Sequence, residues 1–141
     1  MRKTKIIIVI LLAFISITSF VLLNLSGEQQ IKNVLNLNEI DKIQLRDGTN
    51  GKYAFIYDKE KLERITEYCG LINVKRKYFV PNSSGWEYNI SFYSKDKNVG
   101  SITFNNPLYI DTKRYYLTDK DFSEVYKSIQ KIFRDKSISW K

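Results

Sequence analysis

Residues 86–104 read WEYNISFYSKDKNVGSITF and carry the clearest strand pattern of the chain. Apolar or aromatic residues occupy every second position of the first half, namely Trp86, Tyr88, Ile90 and Phe92. A period of two does not suit a helix and predicts a strand with one buried face. After a polar turn at residues 95–98, the alternation resumes through Gly100, Ile102 and Phe104. Because strands joined by short turns pair antiparallel, this stretch predicts a hairpin of an antiparallel sheet.

The segments on either side complete a predicted order of ββαββββα. Residues 40–45 and 53–57 read as a hairpin around a turn that contains Gly and Asn. Asp58 caps a helix that Gly70 ends, and residues 122–133 carry one apolar stripe at helical spacing. We therefore expect an α+β two-layer sandwich, in which a mostly antiparallel sheet of about five or six strands carries two helices on one face.

The N-terminal residues 6–25 read IIIVILLAFISITSFVLLNL and hold no charged side chain. A helix of twenty residues rises about 30 Å, which is the thickness of the hydrocarbon core of a bilayer. Arg2, Lys3 and Lys5 precede the segment, and cations at that position favour a cytoplasmic N-terminus. We therefore expect one transmembrane helix, an uncleaved signal anchor, in front of the domain.

This interpretation divides the chain into four parts. They are a basic cytoplasmic stub (1–5), the transmembrane signal anchor (6–25), a linker (26–38) and an extracytoplasmic α+β domain (39–141). The protein is then expected in the cell membrane as a single-pass protein, with its N-terminus inside and its C-terminal domain outside. The alternative is a secreted protein whose signal peptide is cleaved, although the residues before the candidate cleavage position near Ser26 suit a signal peptidase poorly.

The composition narrows the chemistry that the chain can perform. It has no His and one Cys, which excludes imidazole zinc sites, Ser-His-Asp and Cys-His catalysis, and a disulfide within the chain. We therefore expect no metal and no cofactor. The formal net charge of +8 is typical of nucleic-acid binding, but a domain outside the membrane rarely meets nucleic acid. Besides the membrane, the expected partner is an envelope protein or an anionic wall or lipid component.

Two pairs of carboxylates are the candidates for catalysis. Glu63 and Glu67 are spaced i,i+4 on the first helix of the domain, and Asp119 and Asp121 stand at the start of the last one. Paired carboxylates divide the acid and base roles in glycosidases. Acids near a helix start more often interact with the helix dipole and with water. We therefore expect no enzyme activity, and a cell-envelope enzyme that uses carboxylates is the alternative.

Aromatic residues are the unusual feature of the composition, with 10 Tyr, 8 Phe and 2 Trp. Five residues are expected on the sheet face opposite the helices because of their strand parity: Arg76, Tyr78, Tyr93, Arg114 and Tyr116. Tyr and Arg together are typical of recognition surfaces, although β-propensity alone also places Tyr on half-exposed strands. These residues predict a non-catalytic, membrane-anchored binding or accessory module of unknown ligand. A self-associating structural envelope protein is a further alternative.

The Tyr-rich strands, the stretch SSGWEYNISFY at residues 83–93 and the closing amphipathic helix also carry a family resemblance. Over about residues 36–134 the chain resembles small N-terminally anchored or secreted extracytoplasmic proteins of Gram-positive bacteria, which are grouped as a domain of unknown function. The resemblance implies a location outside the cytoplasm and no particular activity. Many of these proteins look like lipoproteins, and this chain lacks a cysteine directly after its apolar segment.

Overall fold

The structure, a computed structural model, describes residues 2–24, 27–76, 78, 85, 87–118 and 122–141. Its helices are α1 (Arg2–Asn24), α2 (Lys59–Leu71) and α3 (Phe122–Phe133), and a 3₁₀ turn covers Ile31–Asn33. Its strands are β1 (Gln29–Gln30), β2 (Lys42–Asp47), β3 (Tyr53–Ile56), β4 (Asn73–Arg76), β5 (Tyr88–Ser94), β6 (Lys97–Phe104), β7 (Leu108–Ile110) and β8 (Lys113–Leu117). Trp86 lies outside the described residues.

All eight of these strands form one antiparallel sheet in the order β1-β4-β8-β7-β6-β5-β2-β3. The predicted α+β class is confirmed, but the predicted sandwich of five or six strands and two helices is wrong. The described residues form eight strands and three helices. The added β1 has two residues, which pair with Asn73 and Val74, and two residues are too short to show an alternating pattern in a sequence.

The core lies between one face of the sheet and the helices α2 and α3. Directly opposite residues of antiparallel strands share a face, and the register places Ile43, Ile90 and Phe92 on the covered face. Asp58 caps α2, because its carboxylate accepts a hydrogen bond of 3.0 Å from the Lys61 N–H. The two helices bury against the sheet Leu62, Ile65, Cys69, Val125, Ile129 and Phe133.

The segment predicted to be a linker (26–38) contributes to this core in its described part. Ile31 and Leu35 are buried, and the N–H of Ile31 donates a 3.0 Å hydrogen bond to the carbonyl of Ile72. Leu35 packs directly on Gly100 of β6, where an added Cβ would lie 2.6 Å from the Leu35 Cδ2. The apolar residues of this segment therefore face the sheet and not water.

The N-terminal helix α1 carries exposed apolar side chains, for example Ile10 and Phe14. Within the described part of the chain, no helix has the length and apolar character that a membrane crossing requires. The predicted transmembrane signal anchor over residues 6–25 is therefore wrong.

The last residues of the chain return to the edge of the sheet. Lys141 and Tyr53 exchange two backbone hydrogen bonds, of 2.9 Å from the Lys141 N–H and 3.2 Å from the Tyr53 N–H. The Trp140 ring packs 5.6 Å from the Phe133 ring, which fixes the tail against α3. The tail therefore occupies one position on the outer edge of β3.

Candidate binding surface

The sheet has a second face, away from α2 and α3, which we call the open face. The strand register assigns its residues, beginning with the pairs Lys42–Tyr93, Gln44–Ser91 and Arg46–Asn89 of β2 and β5. The remaining residues that the register places on it are Gln30, Tyr53, Phe55, Asn73, Lys75, Asn98, Ser101, Thr103, Tyr109, Arg114 and Tyr116. This set contains four cations, Lys42, Arg46, Lys75 and Arg114, and no carboxylate. The open face is therefore cationic and aromatic.

The middle of the open face is a strip of amides and hydroxyls. The Asn89 amide donates a 2.9 Å hydrogen bond to the Thr103 hydroxyl, and the Ser91 hydroxyl donates a 3.0 Å bond to the Asn89 carbonyl oxygen. Ser91 is buried although it is polar, and this hydrogen bond satisfies its hydroxyl. The strip therefore holds its polar groups in fixed positions across β5 and β6.

Three aromatic rings line the β3 side of the open face. Tyr53 and Phe55 alternate along β3 with the buried Ala54 and Ile56, and Tyr57 continues the series just beyond the strand. The ring centroids are 5.8 Å apart for Tyr53 and Phe55 and 6.4 Å apart for Phe55 and Tyr57. All three side chains are exposed. None of the three is among the predicted site residues, although their spacing in YAFIY carries the signal.

A charged cluster lies beside these rings. The Lys42 ammonium is 4.7 Å from the Tyr93 ring centroid and 2.7 Å from the Asp96 carboxylate. The hydrogen bond from Lys42 holds the pKa of Asp96 below its ordinary value, and the same bond raises the pKa of Lys42. The Tyr93 hydroxyl donates a 3.2 Å hydrogen bond to the Gln44 side-chain oxygen. Asp96 thus offsets part of the Lys42 charge.

On the far side of the sheet, β7, β8 and β4 carry the other aromatic and cationic residues of the open face. The Arg114 guanidinium is 5.9 Å from the Tyr109 ring centroid. Tyr116 lies directly opposite Lys75 in the pairing of β8 with β4. Positive charge therefore lies at both sides of the polar strip.

The structure brings together three of the five predicted site residues. Tyr93, Arg114 and Tyr116 lie on the open face, as expected from their parity. Arg76 instead lies opposite Tyr115, a residue of the covered face, and its guanidinium is 4.7 Å from the Tyr78 ring centroid. Burial raises the pKa of Tyr115, and the nearby Arg76 charge opposes that shift.

Arg76 and Tyr78 are therefore separated from the other three by the thickness of the sheet. Lys75, the residue directly before Arg76, lies on the open face instead.

The candidate catalytic carboxylates Glu63 and Glu67 are both exposed on α2. Glu63 lies 3.8 Å from Lys59 on the exposed side of α2, and Asp119 and Asp121 lie outside the described residues. A groove of 430 Å³ between α2 and α3 contains one carboxylate, Asp135. Hydrogen bonds from Ser137 lower the pKa of Asp135, with a smaller contribution from nearby cations. Asp135 is the one acid among the described residues that line the groove, so these residues do not include a pair of carboxylates.

Comparisons of the chain with protein-family models, with curated proteins and with solved structures find no match. The resemblance to extracytoplasmic proteins of Gram-positive bacteria therefore stays a prediction.

Proposed function

We propose that this protein is a non-catalytic binding module that uses the open face to hold an anionic partner. The distribution of charge carries the proposal, because the register places four cations and no carboxylate on that face. Arg46, Lys75 and Arg114 lie on this face together with Lys42, whose ammonium also contacts the Asp96 carboxylate. Guanidinium groups donate paired hydrogen bonds to carboxylates and phosphates, which suits a partner with such groups.

The other side chains of the face support the same function. Tyr53, Phe55 and Tyr57 offer exposed rings, and Tyr and Arg are enriched where proteins bind their partners. The polar strip through Asn89 and Thr103 offers amide and hydroxyl groups at fixed positions. An acidic protein surface and an anionic polymer of the cell envelope both match this combination of charge, rings and hydrogen-bonding groups.

A location outside the cytoplasm is part of the proposal. Basic residues followed by an apolar helix are typical of an export signal, and no described residue of α1 belongs to the core. The folded domain begins close to Glu28, whose carboxylate accepts a 2.6 Å hydrogen bond from the Thr118 hydroxyl. Cleavage ahead of Gly27 would therefore leave every core residue in the secreted product.

Binding of the purified chain to poly-L-glutamate and to polyphosphate tests the function in vitro. The double substitution Arg46→Gln with Arg114→Gln removes two charges from the open face and should weaken binding about 30-fold, since each of the two contacts contributes roughly 1 kcal/mol. The matched control is Lys97→Gln with Lys113→Gln, which removes two charges from positions that the register places on the other face. The control should stay within about twofold of the unchanged chain.

Two results would count against the proposal. Equal weakening by both double substitutions would mean that net charge alone attracts the polymers. No measurable binding of either polymer would mean that the open face does not hold anions. Circular dichroism of each variant confirms that the fold is retained.

A further inference from the structure

The outer edge of β3 presents backbone groups that point away from the sheet. The two hydrogen bonds between Tyr53 and Lys141 show that the Tyr53 N–H and C=O point outward. Backbone direction alternates along a strand, so the N–H and C=O of Phe55 point outward as well. No backbone partner of Phe55 on that side is present within the described residues. Such an edge is a template for pairing with another strand.

The sequence of this edge is complementary to itself. Residues 52–58 read KYAFIYD. When two copies of this segment are aligned antiparallel with Phe55 opposite Phe55, Lys lies opposite Asp, Tyr opposite Tyr and Ala opposite Ile. The exposed rings of Tyr53, Phe55 and Tyr57 then lie beside one another on the open face. Cross-strand aromatic pairs and opposite charges both stabilise neighbouring strands.

The backbone supports this register at both ends. Asp58 is extended, with φ −63° and ψ 122°, so that the strand conformation continues past the end of β3. One carboxylate oxygen of Asp58 caps α2 through the Lys61 N–H, which leaves the second oxygen for a cation. Lys52 is exposed at the opposite end of the segment. At each end of the paired strands, Lys52 of one copy would therefore lie opposite Asp58 of the other.

We propose that two copies of the chain associate by antiparallel pairing of their β3 edges around a twofold axis at Phe55. The pairing joins Tyr53 of each copy to Tyr57 of the other, and it extends the sheets and their open faces into one surface. The proposal is independent of what the open face binds. An edge contact of this length is smaller than the roughly 800 Å² per partner of a standard interface, so the dimer is a weak one.

The C-terminal tail competes with the second copy. Lys141 occupies the outward N–H and C=O of Tyr53, which are the groups that Tyr57 of the other copy requires. The dimer therefore forms in place of the Lys141 contact. Substitution Lys141→Pro removes the N–H that bonds to Tyr53, because proline has no amide hydrogen, and it should increase dimer formation.

Disulfide trapping of the full chain tests the proposed axis. In the variant Phe55→Cys, the two new thiols meet at the axis, where a hydrogen-bonded antiparallel pair has a Cα separation of about 5.5 Å, suitable for a disulfide. The full chain is kept in a mild nonionic detergent because α1 exposes apolar side chains. Dimer formed under mild oxidation is measured on a non-reducing gel. The native Cys69 is buried and serves as the internal blank.

The matched control is Arg46→Cys, on the same face but one strand away from the edge. In the proposed dimer the two copies of residue 46 lie three strand spacings apart across the sheet and four residues apart along the strands, a separation of about 20 Å, and cannot form a disulfide. We expect at least fivefold more trapped dimer with Phe55→Cys, roughly the excess of a specific contact over random collision. Equal trapping at the two positions, or none at Phe55→Cys, would overturn the proposal.

Charge reversal tests the register in the trapped variant. Lys52→Glu places like charges at both ends of the paired edges and should reduce trapping about fivefold or more, whereas Lys97→Glu should leave it unchanged. The register would be wrong if both substitutions reduced trapping equally, or if Lys52→Glu did not reduce it. Unchanged trapping with Lys141→Pro would show that the C-terminal tail does not compete with the second copy for Tyr53. If Phe55→Cys does not fold, the pair Tyr53→Cys with Tyr57→Cys replaces it, since these two positions meet only between copies.

Discussion

At the scale of single residues, Gly100 is the position where the N-terminal segment and the sheet come closest. An added Cβ would lie 2.6 Å from Leu35 Cδ2 and 3.1 Å from Leu35 Cδ1, and Leu35 is buried. Gly100→Ala should therefore lower the free energy of unfolding by about 1–3 kcal/mol, as overpacking of a core does. Urea denaturation measures the change.

The double-mutant cycle with Leu35→Ala separates this clash from other effects of the substitution. When Leu35→Ala has already removed the obstructing methyl groups, Gly100→Ala should cost much less. An equal cost in both backgrounds would show that the contact between Leu35 and Gly100 is not the cause.

Cys69 gives a second prediction at this scale. The thiol is buried in α2, and burial raises its pKa to about 12. Because the thiolate is the reactive form, the folded chain should not react with a thiol reagent at pH 8, and full reaction should appear with unfolding in denaturant. Reaction of the folded chain at the rate of an exposed cysteine would contradict the burial. The reagent absorbance measures both rates.

The residues of the candidate surface were partly predictable. The parity of neighbouring strands placed Tyr93, Arg114 and Tyr116 on one face, because alternation survives within a hairpin. Arg76 was misplaced because β4 pairs with β8, a strand about forty residues away, and spacing along the chain does not fix the register between distant strands. Phe55 was not among the predicted site residues, and it is the pairing of β3 with β2 that places it on the open face, opposite Gln44.

At the scale of secondary-structure elements, the segment before β2 contributes to the stability of the folded domain. Removal of residues 1–26 takes away α1 and no core residue, and should change the free energy of unfolding by less than about 0.5 kcal/mol. Removal of residues 1–38 also deletes β1, Ile31 and Leu35. Two buried aliphatic side chains are worth about 2–5 kcal/mol each, which is comparable with the total stability of a small domain.

Thermal unfolding of the two truncated chains measures this difference. We expect a cooperative transition for residues 27–141 and a loss of cooperative folding for residues 39–141. Equal stability of the two would show that the N-terminal segment is a linker, as its polar sequence suggested.

The elements themselves were predictable to the extent that they are long. The helices α2 and α3 and the hairpin of β5 and β6 have enough residues for a period to be visible. The short strand β1 and the order of the sheet depend on contacts between residues far apart in the chain, such as Gln29 with Val74. No local pattern contains that information.

At the scale of the whole molecule, the charge of the open face predicts how binding depends on salt. Exposed charges are screened over about 8 Å at 0.15 M ionic strength and over about 3 Å at 1 M. Binding of poly-L-glutamate should therefore weaken steadily between these concentrations, and the Arg46→Gln, Arg114→Gln variant should show the smaller dependence. Binding that is insensitive to salt would assign the interaction to the aromatic rings instead. A titration at several salt concentrations provides the test.

The central claim is that the open face is where the protein meets its partner, and photocrosslinking in intact cells tests it most directly. A photoreactive phenylalanine replaces Tyr116, on the open face and far along the sheet from β3, or Lys113, on the same strand with the opposite parity. We expect a crosslinked product that contains a different, acidic molecule from position 116 and none above background from position 113. The same products from both positions, or none from position 116, would contradict it.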